Sequence, residues 1–194
     1  MKVDFLKRRK EMLESVERQF MGIDQAQIDE LVDAILQTPR IFVSGWGRAG
    51  NNIKILSMNC SQIGLKTHVV GDNSCPSMNE RDILIIGSGS GGTKSMLLFA
   101  GQAKSHGSKV GLIVGKHGSE LEKIADYTVH IEDNVMIAND YCPPEGMATL
   151  EEQLVQSNAY YPVMQSVCDT ITAYCADKLG VTPEDMGRNH NNIE

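Results

Sequence analysis

Five short runs rich in β-branched and other apolar residues punctuate the middle of the chain: Ile41-Phe-Val-Ser44, Thr67-His-Val-Val70, Ile83-Leu-Ile-Ile86, Lys109-Val-Gly-Leu-Ile-Val114 and Tyr127-Thr-Val-His-Ile131. They barely alternate between apolar and polar positions, which predicts strands buried on both faces. Between them, near residues 50–63, 93–106 and 119–125, the apolar spacing is helical. Strand and helix alternating at this interval predict a parallel sheet with right-handed crossovers and helices on both faces. The expected fold class is therefore α/β. It is a three-layer α/β/α, flavodoxin-like arrangement around a five-stranded parallel sheet of order 2-1-3-4-5.

The flanks read as helices. Residues 3–21 place Phe5, Leu6, Met12, Leu13, Val16 and Phe20 at roughly helical intervals, and 24–37 carry Ile28, Leu31, Val32, Ile35 and Leu36 on one face. Residues 148–179 form a third helical stretch, interrupted by Pro162, which fits either the first turn of a new helix or a kink. Gly180 ends that stretch, and Val181-Thr-Pro-Glu-Asp185 opens a terminal piece with the pattern of a capping box. The segment from Glu132 to Gly146 is long, acidic and rich in turn residues, a pattern often found in functional loops. The N-terminal helices carry more apolar residues than a peripheral hairpin needs, which predicts self-association.

Composition narrows the partners. The 194 residues are 41 % hydrophobic and 22 % charged, with a net charge of −7. The acids concentrate at one end: residues 131–194 hold eleven, against Lys178 and Arg188. A domain this acidic and without a long basic stripe is a poor match for nucleic acid. The Lys7–Lys10 cluster reads as the wet face of a helix. No apolar run approaches the ~20 residues of a membrane helix, and Met1–Lys10 lacks the apolar stretch of a signal peptide. The expectation is a cytoplasmic protein with no membrane partner. Five cysteines, an odd number with no C-x-x-C pair, argue against a disulfide framework or a zinc site. Cys168 and Cys175 read as small core residues. His68, His106, His117 and His130 show no ligand spacing along the chain, and no metal is expected.

Two glycine-rich loops carry the candidate chemistry. Gly45-Trp-Gly-Arg-Ala-Gly50 follows the first strand and matches G-x-G-x-x-G, with Asp72 at the end of the second strand, 22 residues after Gly50. That is a dinucleotide-binding pattern, although a tight strand-to-helix turn without ligand has the same look. Ser88-Gly-Ser-Gly-Gly-Thr93 follows the third strand. Its glycines let backbone N–H groups approach an anion, the helix N-terminus adds partial positive charge, and Ser88, Ser90 and Thr93 add hydroxyl donors. Thr93 also reads as a helix N-cap. No Walker lysine pattern is present, so the loop suits one monophosphate rather than a nucleoside triphosphate. Strands one and three are neighbours at the switch point of a 2-1-3-4-5 sheet, so both loops face the crevice where such sheets bind ligands. A dinucleotide site does not need the second, hydroxyl-rich loop.

On these motifs the chain resembles the sugar isomerase (SIS) domain family. The segment Met147-Ala-Thr-Leu-Glu-Glu152, the Asp72–Pro76 stretch and the ending Met186-Gly-Arg-Asn-His-Asn-Asn-Ile-Glu194 resemble the 6-phospho-3-hexuloisomerase branch. The resemblance covers nearly the whole chain. It implies a single SIS domain over 1–194, with N-terminal helices over 1–38, the parallel core over 39–131, and C-terminal helices and tail over 147–194. It implies a cofactor-free enzyme that interconverts arabino-hex-3-ulose 6-phosphate and fructose 6-phosphate. It further implies a homotetramer with active sites at subunit interfaces.

Carried over by position, Ser88, Gly89, Ser90 and Thr93 hold the phosphate, with Gly47 and Arg48 of the first loop also in the substrate site. Glu152 matches the family's base, and His190 matches a tail histidine that reaches a neighbouring subunit's site. Ala49 stands where the family usually has Ser, and Asn59 and Gln62 where hexuloisomerases often carry Arg and His. Those departures keep a non-catalytic phosphosugar-binding protein as an alternative, with a dinucleotide-binding oxidoreductase behind it. Read from the residues alone, Glu151 and Glu152 also fit first-turn acids of a helix, and His190 a tail residue. Arg48 fits either a substrate contact or a partner for the acidic 132–145 segment, and Trp46 either a pocket wall or a subunit contact.

Overall fold

The computed structural model describes residues 4–132 and 150–193, with the backbone alone for 150–158. Asp4 starts the first helix, α1 (Phe5–Met21), by accepting from the amides of Leu6 and Lys7, and Asp24 does the same for Ala26 at the head of α2 (Gln25–Leu36). Such caps satisfy amides that no helical carbonyl reaches. The parallel core then runs β1 (Ile41–Gly45), α3 (Gly47–Gln62), β2 (Thr67–Val69), β3 (Ile83–Ser88), α4 (Lys94–Ser105), β4 (Lys109–Val114) and β5 (Tyr127–His130). A 30-residue helix, α5 (Leu150–Leu179), and a short α6 (Pro183–Asn189) complete the chain.

All neighbouring strands pair in parallel, in the order β2-β1-β3-β4-β5. The weak alternation in the sequence has its cause in two separate cores. Ile41, Val43, Ile83 and Ile85 point to the face covered by α2, α3 and α5. Phe42, Leu84, Ile86, Val110 and Leu112 point to the opposite face, where Met96, Ala100 and Ala103 of α4 cover them. β1, β3 and β4 are thus apolar at consecutive positions because both sides are dry.

Two expectations need correction, and one open alternative closes. The stretch 119–125 is a set of irregular turns rather than a helix. Ser119 and Glu122 cap one another, and Ile124 and Ala125 both bond back to Leu121, while Gly115 and Gly118 leave little length for regular structure. The second strand stops at Val69, so Asp72 lies in the following turn, its amide bonded to the Val69 carbonyl. Pro162 starts no new helix, because α5 runs through it. The Val181–Asp185 capping box is present between Thr182 and Asp185. Cys168 and Cys175 are both fully buried in the core. Lys7 and Lys10 pair with Glu11 and Glu14 along the exposed side of α1. No described helix is long and apolar enough to cross a membrane.

The first and last glycines of the first loop are required by packing. A Cβ on Gly50 would sit 2.5 Å from the Gly45 carbonyl oxygen, and one on Gly45 would lie 3.0 Å from the Gly87 oxygen. These contacts seat the start of α3 directly on the ends of β1 and β3. Gly50→Ala should therefore destabilise the fold by about 2 kcal/mol, the usual scale of an overpacked core. Urea denaturation measures it, and an unchanged midpoint would show that the backbone yields there freely.

Candidate functional site

β1 and β3 lie side by side, with Gly45 registered opposite Gly87, so their loops leave the sheet at the same edge. A direct link joins them: the Trp46 indole N–H donates to the Ser95 hydroxyl at 2.6 Å. Trp46 is the N-cap of α3 and Ser95 stands in the first turn of α4. Trp46 is 64 % exposed, so its ring stands over the gap between two helix starts rather than in the core. It also lines a cavity of about 400 Å³ formed with Gly47, Asn51, Lys54, Asp72 and Phe99.

The serine loop is braced from below. Gly91 has φ +62 and its missing Cβ leaves room for Ser119, whose side chain would otherwise be 2.2 Å away. Gly115 donates its N–H to the Gly89 carbonyl and Leu121 donates to the Gly91 carbonyl, both at 3.0 Å. The Gly89 and Gly91 carbonyls are thus taken up inside the fold. Ser88 is buried. Its Oγ accepts the Gly91 N–H at 3.2 Å and lies 3.3 Å from Thr93 Oγ1. Ser90 and Thr93 are half-buried, and Gly92 is exposed. Thr93 occupies the N-cap position of α4, but its side chain makes no capping bond. The start of α4 is thus left without a side-chain cap, and helix starts of that kind suit phosphoryl oxygens.

The Arg48 guanidinium stacks on the Tyr161 ring, 3.9 Å from the centroid. Asn52 fixes that turn of α5 by donating to the Tyr161 carbonyl at 2.6 Å. Arg48 is exposed at the first loop. Gly47, with φ +57 and open space at its missing side chain, lines the cavity. Serine-loop residues do not line that cavity. It lies on the β2 side of the first loop, with Asp72, while the hydroxyl donors lie on the β3 side.

The two carried-over reactive residues stand elsewhere. Glu152 is in the first turn of α5, and its side chain lies outside the described residues. The 133–149 segment, which holds most of the acidic stretch, Cys142 and the start of the Met147–Glu152 motif, lies outside them too. His190 is the exposed C-cap of α6, with Nδ1 3.1 Å from the Asn191 carbonyl. Asn189 beside it donates to the carbonyl of Gln62, the last residue of α3. The first loop is at the other end of that helix, about 24 Å long by the ordinary rise. His190 is thus remote from the loops of its own chain.

Among the described residues, the cysteines are held as thiols. Burial pushes Cys60 up to about 11 and Cys175 up to about 12, and it raises Cys168 and Cys75 as well. Such groups stay protonated thiols at neutral pH. Sequence reasoning did not single out Ser95, Asn52, Lys54 or Tyr161. Ser95, in the first turn after the serine loop, carried a signal. The Arg48–Tyr161 stack joins residues 113 positions apart and had none. Spatial grouping also changes the histidines: His117 and His130, unrelated by spacing, stack with ring centroids 3.9 Å apart.

With this geometry in place, the comparisons place the protein. The family model for the SIS domain matches residues 34–140, and the chain belongs to that family. A Bacillus subtilis protein named 3-hexulose-6-phosphate isomerase is 31 % identical over 95 % of this chain and 96 % of its own. One of the same name from Methylomonas aminofaciens is 28 % identical over 86 % of this chain and 87 % of its own. A crystal structure from Methanococcus jannaschii superposes with a TM-score of 0.76 at 24 % identity, covering 96 % of this chain and 97 % of that one.

The Thr93 hydroxyl, unused as a cap, supplies a direct test. Thr93→Val should weaken binding of fructose 6-phosphate about tenfold, the scale of one hydrogen bond to a charged group, and leave the melting temperature unchanged. Trp46 emission is the readout, since this sole tryptophan bridges the two loops. Unchanged affinity would remove Thr93 from the phosphate site.

Proposed function

We propose that this protein is a cofactor-independent 6-phospho-3-hexuloisomerase, converting arabino-hex-3-ulose 6-phosphate to fructose 6-phosphate. One observation carries the reading: a hydroxyl-rich glycine loop at an uncapped helix start, suited to a single phosphate, in a chain that aligns end to end with a hexulose-phosphate isomerase. The phosphate anchors at Ser88, Gly89, Ser90 and Thr93. Gly47 lets substrate approach the first loop closely, and Arg48 holds a substrate oxygen from above the Tyr161 ring.

The chemistry follows from moving a carbonyl from C3 to C2. A base takes the proton from C2, the electron pair forms a 2,3-enediolate, and a proton is returned to C3. Glu152 is assigned to that base, since one carboxylate serves both steps on one face when its surroundings raise its pKa. His190 is assigned to proton transfer between O2 and O3. Its distance from its own chain's loops requires that the tail complete the site of a neighbouring subunit. A homotetramer with interface sites fits that requirement, and the exposed Phe5, Leu6, Leu13 and Met21 of α1 offer an apolar contact surface. We place the enzyme in the cytoplasm, with a sugar phosphate rather than nucleic acid or membrane as its partner.

A non-catalytic phosphosugar-binding role is the second reading. Its support is that Ala49 is buried without a hydroxyl to offer, and that Asn59 is committed to Asp169 of α5 at 2.8 Å. Turnover separates the two. Incubated with arabino-hex-3-ulose 6-phosphate in D₂O without added cofactor, the protein should yield fructose 6-phosphate carrying deuterium at C3, followed by NMR. Glu152→Gln should lower kcat by about 10²–10⁴-fold, the range for a general base, while fructose 6-phosphate still binds. Binding without turnover in the unaltered protein would favour the second reading, and a near-normal rate in the variant would displace Glu152 as the base.

A further inference from the structure

Beyond the two loops, three donors from separate segments converge on the far side of the same sheet edge. His130 ends β5, His117 lies in the turn after β4, and Glu122 lies in the turns before β5. One donor atom from each falls within 4.8 Å of the others. Glu122 Oε1 is 3.1 Å from His130 Nε2, and Glu132 Oε1 is 3.7 Å from His117 Nε2. The imidazole rings are within 18° of parallel.

Two of these donors are preset. Glu122 is held by the Ser119 amide, which donates to Oε2 at 3.2 Å and leaves Oε1 turned to His130. His130 is 9 % exposed, and its backbone N–H is taken by Gln27 Oε1 at 2.8 Å. Its Nε2 is buried and, among the described residues, makes no well-formed hydrogen bond, because the approach to Glu122 has the distance but not the direction. Buried polar atoms rarely go unsatisfied without a reason. The Gln27 amide is 3.5 Å from Nδ1, too far to fix which ring nitrogen carries the proton. The remaining donor is adjustable. His117 is exposed and precedes Gly118, whose φ is +66. Tetrahedral coordination needs donor atoms about 3.3 Å apart at ordinary zinc–ligand lengths, and a re-aimed His117 supplies the contraction.

We infer that His117, Glu122 and His130, with Glu132 as fourth donor, form a binding site for one divalent transition-metal ion of the zinc class. Two imidazoles with carboxylates select such an ion over magnesium or calcium, which take oxygen donors. The site is separate from the isomerase reading and supplies no step of that chemistry. Its place is structural. The segment it would pin, 115–122, is the one that braces the serine loop through Gly115 and Leu121.

Titration of the metal-stripped full chain with Zn²⁺ by calorimetry, and with Co²⁺ by absorption, tests the site. One saturable equivalent should bind, with the visible bands of tetrahedral cobalt and no thiolate-to-cobalt charge transfer. His117→Ala should weaken binding at least tenfold without changing the metal-free melting curve, because the ring is at the surface. Glu122→Gln should weaken it too, and His106→Ala should leave it unchanged. No saturable binding, binding indifferent to His117→Ala and Glu122→Gln, or a thiolate band assigning the ion to cysteine would each overturn the inference.

Discussion

Backbone touching backbone is the constraint on which the site depends. At the carboxyl edge of the sheet, Gly50 lies against the Gly45 carbonyl and Gly45 against the Gly87 carbonyl. Two strands at normal sheet spacing can both deliver a helix start to the same spot only if no Cβ intervenes. The same economy operates beneath the serine loop, where Gly91 makes room for Ser119 and the Gly115 amide meets the Gly89 carbonyl. Bonds inside the fold take up the Gly89 and Gly91 carbonyls. The half-buried Ser90 and Thr93 hydroxyls and the uncapped start of α4 remain, and such donors suit an anion.

Around that constraint, each side chain near the gap has a mechanical partner. Trp46 bridges to Ser95, Arg48 lies on Tyr161, and Asn52 ties α3 to the turn of α5 that carries Tyr161. Rigid supports of this kind are what a small polar substrate needs, since loosely held donors bind it no better than water does. The side chains proposed to be reactive, Glu152 and His190, both belong to the C-terminal part of the chain.

Most of the fold was legible in the sequence because apolar runs at consecutive positions report two dry faces, and this sheet has them. The strand order was expected by analogy with flavodoxin-like sheets, and it is the order observed. The 119–125 segment misled because Leu121, Ile124 and Ala125 have helical spacing and are partly or fully buried, yet the two glycines before them and the Ser119–Glu122 mutual cap turn the chain instead. Asp72 looked like the end of a strand because Val70 and Gly71 continue the apolar pattern; pairing with β1 ends at Val69. In the site, the serine loop was readable since its residues are contiguous. Pairs such as Arg48 with Tyr161, or His117 with His130, exist only because strands and helices distant in sequence end at the same edge. A one-dimensional pattern holds no trace of them. The SIS family match, over residues 34–140, agrees with the part of the chain where the pattern was clearest.

The central claim is that one phosphate sits on the β3 side of the paired loops. A crystal structure of the protein grown with fructose 6-phosphate tests it most directly. The phosphorus should lie within hydrogen-bonding reach of the Ser90 and Thr93 hydroxyls and the amides at the start of α4. A phosphate found instead in the cavity lined by Gly47, Lys54 and Asp72, with residues 88–93 untouched, would contradict it.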